Sequence, residues 1–369
     1  MKPKKKWKVF GGFLLFFATT ILLANYLMFR VNWVEDPVMS AIMRPMGYGI
    51  YGVLAAAVGS IIPLAVLGLI RFFVNRSAKG VHEAVGESRR KWITIGAIGI
   101  PALQLGGATA LAYSGDKNLW VHEMTLRFPK LPDALKGYKI GQISDTHLGP
   151  YFSMEDLHEA VSIVQKKGAK RLFVTGDFID DVPMIDVSMR YMKEVGTAFP
   201  DGVQYIYGNH EYYRDLEAVE AGLAKSGMDI LRNSHMKIFD GEVPVYLAGV
   251  DYPFRREQKK EDIEMMVRKA TEGIPEGAFT ILLAHHPDFI GEAFERGIPL
   301  TFAGHSHGGQ ISVGDKSIIP MEYEYWKGLY KAEGEARYGY VSNGTGSWWP
   351  LRYDCAREGA IFTFEGGVD

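Results

Sequence analysis

Five short polar clusters in the sequence carry side chains that can bind metal ions, and each cluster follows an apolar run. They are Asp145-Thr146-His147, Gly176-Asp177-Phe178-Ile179-Asp180, Gly208-Asn209-His210-Glu211, His285-His286 and Gly304-His305-Ser306-His307. Side chains two residues apart in an extended chain point the same way, so Asp145 and His147 could coordinate one cation. A single Asp-x-His motif recurs by chance and is more often an ordinary polar turn. The four further clusters favour a shared metal site.

The donors in these clusters are nitrogen and oxygen atoms, with no sulfur. The set that would converge is Asp145, His147, Asp177, Asn209, His285, His305 and His307. Such donors suit Zn, Mn, Fe or Co. Seven ligands are too many for one ordinary protein site, whereas two cations about 3.5–4 Å apart would use them, with one carboxylate shared. The single cysteine, Cys355, excludes a cysteine-based metal site and an internal disulfide.

Several residues in or near these clusters also have simpler explanations. His286 competes with its neighbour as the metal donor of its pair. Glu211 could simply begin a helix, where an acidic side chain suits the helix dipole. Arg352 could pair with a phosphate through its planar fork, or form an ordinary surface ion pair. Trp348 and Trp349 could enter a membrane interface, where such rings are enriched, or pack in a core.

The elements that must position these clusters alternate between strands and helices. Apolar runs predict strands at 120–128, 139–144, 170–175, 202–207, 243–250, 279–284 and 300–303, with shorter ones near 230–231, 236–239, 310–313, 338–342 and 360–364. Helical spacing predicts helices at 154–167, 184–195, 211–225 and 257–271. Such alternation is typical of sheets covered by helices. Ligand sites in these folds lie outside the carboxyl ends of the strands, so the five clusters can meet at one point.

The sequence divides near residue 115 into an apolar part and a charged part. The chain has 369 residues, too many for one ordinary core. Apolar runs at 9–29, 46–74 and 92–113 predict three transmembrane helices, since a span needs about 20 such residues. A buried soluble helix is the alternative, and it fits only the third run. We therefore expect a membrane anchor at 1–115 and a soluble domain at 116–369. The net charge of −2 gives no indication of a nucleic-acid partner.

The distribution of Lys and Arg predicts the orientation of this anchor. Basic residues are dense before the first span and between the second and third, and sparse between the first and second. Cytoplasmic loops carry this excess, so the C-terminal domain should lie outside the cytoplasm of a multi-pass membrane protein. Ser88-Arg89-Arg90-Lys91-Trp92-Ile93 also resembles a twin-arginine export signal, or is a basic loop beside a membrane helix. Both explanations place the C-terminal domain outside.

The ordered clusters resemble the calcineurin-like metallophosphoesterase superfamily. All five blocks occur in its order, over about residues 138 to 310. The apolar N-terminal part and Gly304-His305-Ser306-His307-Gly308-Gly309-Gln310 resemble a membrane-anchored bacterial branch. That branch includes cell-wall-associated phosphoesterases and hydrolases of UDP-2,3-diacylglucosamine. The resemblance implies a four-layer α/β/β/α sandwich, here preceded by the three transmembrane helices.

The resemblance also implies a role for each residue of the clusters. A first metal would be held by Asp145, His147 and His307, a second by Asn209, His285 and His305, and Asp177 would bridge the two. The metals would be two divalent ions, with Mn, Fe and Zn as the candidates. His210 would protonate the leaving oxygen, and Asp180 would orient His210. The position of Pro287 favours His285 over its neighbour.

We therefore expect a membrane-anchored, dinuclear-metal phosphoesterase that hydrolyses phosphodiester or pyrophosphate bonds. Its partners would be the bilayer and a phosphate ester that is linked to a lipid or to the cell envelope. An alternative is a UDP-2,3-diacylglucosamine pyrophosphatase of lipid A biosynthesis, but that substrate is made on the cytoplasmic side. A non-catalytic metal-bound module would be expected to lack part of the catalytic set, which is complete here. A transporter is disfavoured because the spans carry no ionisable residue away from their ends.

Overall fold

The computed structural model of the protein describes residues 119–314, 316–317, 322–347 and 352–367, together with the single positions Leu69, Gly107 and Ala110. The predicted spans at 9–29, 46–74 and 92–113 lie outside the described residues, apart from those three positions. Within the part of the chain that the structure describes, no helix combines the length and the apolar character that crossing a bilayer requires. The predicted domain boundary near residue 115 stays a prediction.

The first sheet carries the strands that end in the first three polar clusters. Its strands are β1 (Leu119–Phe128), β2 (Lys139–Ile143), β3 (Arg171–Thr175), β4 (Val203–Ile206), β5 (Asp229–Ile230) and β14 (Arg357–Gly366). They lie in the order β1-β14-β2-β3-β4-β5. The pairs from β2 to β5 are parallel, whereas β14 is antiparallel to β2 and parallel to β1. The carboxyl ends of β2, β3 and β4 therefore share one edge.

The second sheet carries the strands that end in the two histidine clusters. Its strands are β6 (Ser234–Phe239), β7 (Val245–Gly249), β8 (Phe279–Leu283), β9 (Leu300–Ala303), β12 (Gly328–Lys331) and β13 (Tyr338–Val341), in the order β12-β13-β9-β8-β7-β6. The four inner strands are parallel, and β6 and β12 are antiparallel edges. A small hairpin, β10 (Ser312–Val313) and β11 (Lys316–Ser317), stands apart.

Six α-helices accompany the sheets in the described chain. They are α1 (Met154–Lys166), α2 (Met184–Gly196), α3 (Asn209–Tyr213), α4 (Leu216–Ser226), α5 (Lys259–Thr271) and α6 (Phe289–Glu295). Short 3-10 turns occupy Asp133–Leu135, Arg256–Gln258 and His307–Gly309. The single helix predicted at 211–225 is wrong in one respect. The helix ends at Tyr213. A separate helix, α4, begins at Leu216, and the side chain of Asp215 caps it by accepting a hydrogen bond from the Ala218 N–H.

The two sheets pack face to face and bury the main core between them. Leu126, Ile140, Phe173 and Phe362 of the first sheet join Leu247, Ile281, Leu300 and Phe302 of the second. On the outer face of the second sheet, Leu282 packs with Val267 of α5 and Phe289 of α6. Helix α1 lies on the outer face of the first sheet, so close that a Cβ at Gly141 would fall on the Val164 side chain. The layers are α/β/β/α, and the predicted mixed α/β fold is confirmed for this part.

Strand β1 starts at the same edge of the first sheet at which β2 ends. Leu119 is aligned with Arg357, the first residue of β14. Because β14 runs antiparallel to β2, Arg357 lies near the end of β2, where Asp145 follows. The chain therefore enters the described domain at the edge that carries the polar clusters.

Candidate metal centre

A first group of donors forms where β2 and β9 end. The donor atoms of Asp145, His147 and His307 lie within 4.8 Å of one another. The Nε2 atoms of His147 and His307 are 3.0 Å apart, and Nε2 of His307 is 3.5 Å from Oδ1 of Asp145. All three side chains are buried. Two imidazole nitrogens and a carboxylate aimed at one point are a suitable set for one divalent cation.

A second group of donors lies beside the first, and one of its carboxylates also approaches a histidine of the first group. The donor atoms of Asp177, His285 and His305 also lie within 4.8 Å of one another. Oδ2 of Asp177 is 3.1 Å from Nε2 of His285 and 3.7 Å from Nε2 of His147. One carboxylate oxygen thus stands between a histidine of each group, which is the position that a bridging ligand needs. The structure brings together all six of these predicted donors.

Two buried polar atoms at this edge support the fit of metal ions. Oδ1 of Asn209 has no hydrogen-bond partner among the described residues, and Nε2 of His285 forms no hydrogen bond there although Oδ2 of Asp177 lies 3.1 Å away. Buried polar atoms are nearly always paired, so each unpaired one needs an explanation. Asn209 opens α3 directly after Gly208, whose Cα packs against Asp177. A cation beside Asp177 would satisfy both atoms.

The pair of His210 and Asp180 lies next to these donors. Nδ1 of His210 is 2.5 Å from Oδ1 of Asp180, which also lies 3.3 Å from Nδ1 of His147. Burial alone would raise the pKa of Asp180, but His147 and His210 hold that pKa well below its ordinary value. Burial alone would lower the pKa of His210, but Asp177 and Asp180 raise it to about 9. The two carboxylates therefore favour the protonated form of His210. Sequence reasoning missed Arg214, whose guanidinium lies 3.2 Å from Oδ1 of Asp180.

Comparison with known proteins identifies the family of this arrangement. The calcineurin-like phosphoesterase family model matches residues 138–309. The chain carries a calcineurin-like phosphoesterase domain. An uncharacterized metallophosphoesterase of Bacillus subtilis, YkuE, is 28% identical over 75% of this chain and 98% of its own length. A zebrafish (Danio rerio) transmembrane protein with metallophosphoesterase domain is 31% identical over 61% of this chain. An uncharacterized metallophosphoesterase of Helicobacter pylori is 30% identical over 65% of this chain.

These relatives differ in how much of their own length the chain matches. The chain spans 52% of the zebrafish relative and 62% of the Helicobacter relative. The family match and the metallophosphoesterase relatives support a metal-dependent phosphoesterase. The expected calcineurin-like phosphoesterase domain is therefore confirmed, whereas the membrane-anchored bacterial branch and the roles of individual donors stay predictions.

The backbone of this phosphoesterase domain is strained at most of the predicted ligands. A left-handed φ occurs at Asp145 (52°), His147 (49°), Asp177 (51°), His305 (70°) and His307 (49°). Such a conformation costs a non-glycine residue about 1–3 kcal/mol and concentrates at functional sites. Main-chain hydrogen bonds hold it, because the N–H groups of Asp145 and His147 donate to the carbonyls of Gly176 and Asp177, each at 3.0 Å. No residue pattern in the sequence indicates this strain.

Glu211 ties together the two loops that carry Asp177 and Asn209. Its buried carboxylate accepts from the main-chain N–H groups of Asp177 at 3.0 Å, Phe178 at 2.7 Å and Gly208 at 2.7 Å. Burial raises the pKa of Glu211, and the Phe178 N–H opposes that shift because it stabilises the ionised form. The helix begins at Asn209 and Glu211 lies in its first turn, where its side chain also fixes the positions of its neighbours.

Arg352 lies behind the first donor group. The residue is buried, which excludes a surface ion pair. Its guanidinium donates to the carbonyls of Asn343 at 2.8 Å and Gly346 at 2.5 Å, and one nitrogen lies 3.0 Å from Nδ1 of His307. The guanidinium thus supports the loop around His307 and is engaged by main chain. Trp348 and Trp349 lie outside the described residues.

Aromatic side chains surround the second donor group. Nε2 of His305 is 3.3 Å from the Tyr252 hydroxyl and 3.1 Å from the Tyr323 hydroxyl. His286 stacks on His305 with ring centroids 5.0 Å apart, and its Nδ1 accepts from the Asp288 N–H at 3.2 Å. Only His285 of the pair reaches Asp177, so the geometry agrees with the choice of His285.

Proposed function

We propose that the domain hydrolyses phosphodiester or pyrophosphate bonds at a dinuclear metal centre. The observation that carries this proposal is the position of Asp177, whose Oδ2 lies between His285 and His147 of the two donor groups. Asp145, His147 and His307 would hold one divalent cation, Asn209, His285 and His305 the other, and Asp177 would bridge them. The donor set suits Mn, Fe or Zn.

The chain's own residues supply orientation and a proton. When bound, two cations polarise phosphoryl oxygens and activate water for attack. The buried donors would hold the two cations in place. His210 would protonate the leaving oxygen, because the neighbouring carboxylates of Asp177 and Asp180 raise its pKa and so favour its protonated form. Asp180, at 2.5 Å from Nδ1, would hold the ring so that the opposite nitrogen donates the proton. A positioned acid of this kind contributes about 10²–10⁴ in rate.

The predicted location belongs to the same proposal. The three apolar runs at 9–29, 46–74 and 92–113 would anchor the chain in the cell membrane, with the twin-arginine-like segment before the third run and the phosphoesterase domain on the extracytoplasmic side. The zebrafish relative is named a transmembrane protein, which supports an anchor. The substrate would then be a phosphoester of the membrane or the cell envelope. A reporter fused to the C-terminus decides the orientation, and a cytoplasmic reporter would favour the lipid A substrate.

The central test combines metal content with hydrolysis. The full-length protein in detergent should retain two divalent ions per chain by elemental analysis and hydrolyse bis-p-nitrophenyl phosphate with added Mn. Asp177→Asn should lower kcat/KM by more than about 100-fold, since even residues behind the ligands contribute about 10–100-fold. Asp229→Asn is the matched control, because this exposed carboxylate bonds Gln204 at the opposite edge of the sheet. Full metal occupancy without hydrolysis would favour a non-catalytic module.

A further inference from the structure

Three aromatic residues form a partly exposed surface beside the metal centre, the aromatic wall, which comprises Tyr213, Tyr252 and Phe254. Tyr213 is 60% exposed and Phe254 is 42% exposed. The ring centroids of Phe254 and Tyr252 are 4.8 Å apart, and those of Phe254 and Tyr213 are 6.3 Å apart. A single exposed apolar residue is ordinary. Adjacent exposed rings that the core leaves uncovered indicate a surface for a ligand.

The aromatic wall is continuous with the residues proposed to act on phosphate. At one end, the Tyr213 ring lies 5.6 Å from the ring of His210, the proposed acid. At the other end, the Tyr252 ring lies 5.4 Å from that of His305, a proposed ligand. A phosphate held at the centre would therefore place its ester group along these rings. Ligand sites commonly combine such apolar walls with a few polar anchoring groups.

The angles between the rings indicate which apolar group fits. The planes of Phe254 and Tyr252 cross at 62°, and those of Phe254 and Tyr213 at 64°. Neither angle leaves a pair of parallel faces that would sandwich a flat base. Rings inclined in this way present both edges and faces, and a flexible alkyl chain can follow such a surface. Its binding then strengthens in proportion to the apolar area that it buries.

The proposed membrane anchor indicates where such an alkyl chain would come from. A chain anchored by the apolar runs at 9–29, 46–74 and 92–113 would share its membrane with lipid phosphoesters, which join alkyl chains to phosphate.

We propose that the aromatic wall binds the alkyl portion of a lipid phosphoester while the metal centre binds its phosphate. This inference rests on the proposed function and adds the substrate class and two specificity-determining residues. Tyr213 and Phe254 would determine the preference for substrates with an alkyl chain, because their rings are the exposed ones. Tyr252 contacts His305 and is therefore unsuitable for a selective test.

The experiment measures inhibition of the Mn-loaded full-length protein in nanodiscs by ethyl-, butyl- and hexylphosphonate, with bis-p-nitrophenyl phosphate as the substrate. Each fully buried methylene strengthens binding by up to about fourfold. The inhibition constant of the parent should therefore fall by about tenfold or more from ethyl to hexyl. Tyr213→Ala and Phe254→Ala should flatten this dependence to within about threefold. Met265→Ala, which removes an equally exposed side chain (42%) from α5, should keep the parent's dependence.

Calorimetric titration with the same phosphonates gives a reading independent of hydrolysis. An inhibition constant that does not change with chain length in the parent would overturn the proposal. Phenylphosphonate binding more than tenfold tighter than hexylphosphonate would overturn it in favour of a flat aromatic ligand. Absence of metal-dependent hydrolysis in the parent is a different result, since it contradicts the proposed function while the titration still tests the wall.

Discussion

Replacing Glu211 by glutamine tests whether one buried carboxylate holds the loops after β3 and β4 in place. Oε2 accepts from the N–H groups of Asp177 and Gly208, and Oε1 accepts from that of Phe178. Glutamine has one oxygen, so it keeps two of these bonds and turns an NH2 group toward the third donor. An unsatisfied buried donor costs about 1–3 kcal/mol, and loss of charge weakens each remaining bond by about 1 kcal/mol. The expected local loss is therefore about 3–5 kcal/mol.

Hydrogen exchange followed by mass spectrometry measures this loss where it occurs. Peptides that contain Asp177, Phe178 and Gly208 should exchange about 100- to 4,000-fold faster in Glu211→Gln than in the parent, since each factor of ten corresponds to about 1.4 kcal/mol. The Mn affinity should fall as well, because Asp177 is displaced. Glu217→Gln, in the exposed first turn of α4, is the control and should change neither quantity. Unchanged protection of these peptides in Glu211→Gln would refute the reasoning.

Three further predictions follow from the same contacts. Gly208→Ala should abolish metal retention in elemental analysis, because its Cβ would lie 2.1 Å from Oδ1 of Asp177. In the control Gly196→Ala the added Cβ meets nothing within 4 Å, so this variant should retain the metals. Arg352→Lys should lower the Mn affinity by about 10–100-fold in a calorimetric titration, since lysine cannot reproduce the fork that supports His307. Chelation should lower the Tm of the domain, because metals bind the folded state and stabilise it by mass action. A Tm that is identical with and without EDTA would contradict this.

The fold and the donor set could be predicted because both depend on local patterns. Apolar runs that end in polar clusters mark strand ends, and parallel strands bring those ends to one edge. His285 and Asp177 illustrate this, since 3.1 Å separates their donor atoms in the structure. Ordered motifs then assigned the family without any knowledge of the side-chain geometry.

Other features could not be predicted because they depend on distant contacts. The left-handed backbone at Asp145 is set by pairing with the Gly176 carbonyl of another loop. The burial of Arg352 depends on the loop that follows β13, which sequence spacing cannot place. The aromatic wall was missed because the helix predicted at 211–225 breaks after Tyr213, and that break leaves the ring exposed.

Because of the position of β14 in the first sheet, the segment that carries all the motifs is shorter than the segment needed to complete the fold. The family match ends at residue 309, and all seven predicted donors precede that point. Yet β14 lies between β1 and β2, and Arg127 of β1 bonds Glu365 of β14 across 238 positions. A fragment cut after residue 309 would hold every donor and lack the strand that joins the first sheet. Ribosomes must therefore synthesise β14 before any metal can meet a finished site.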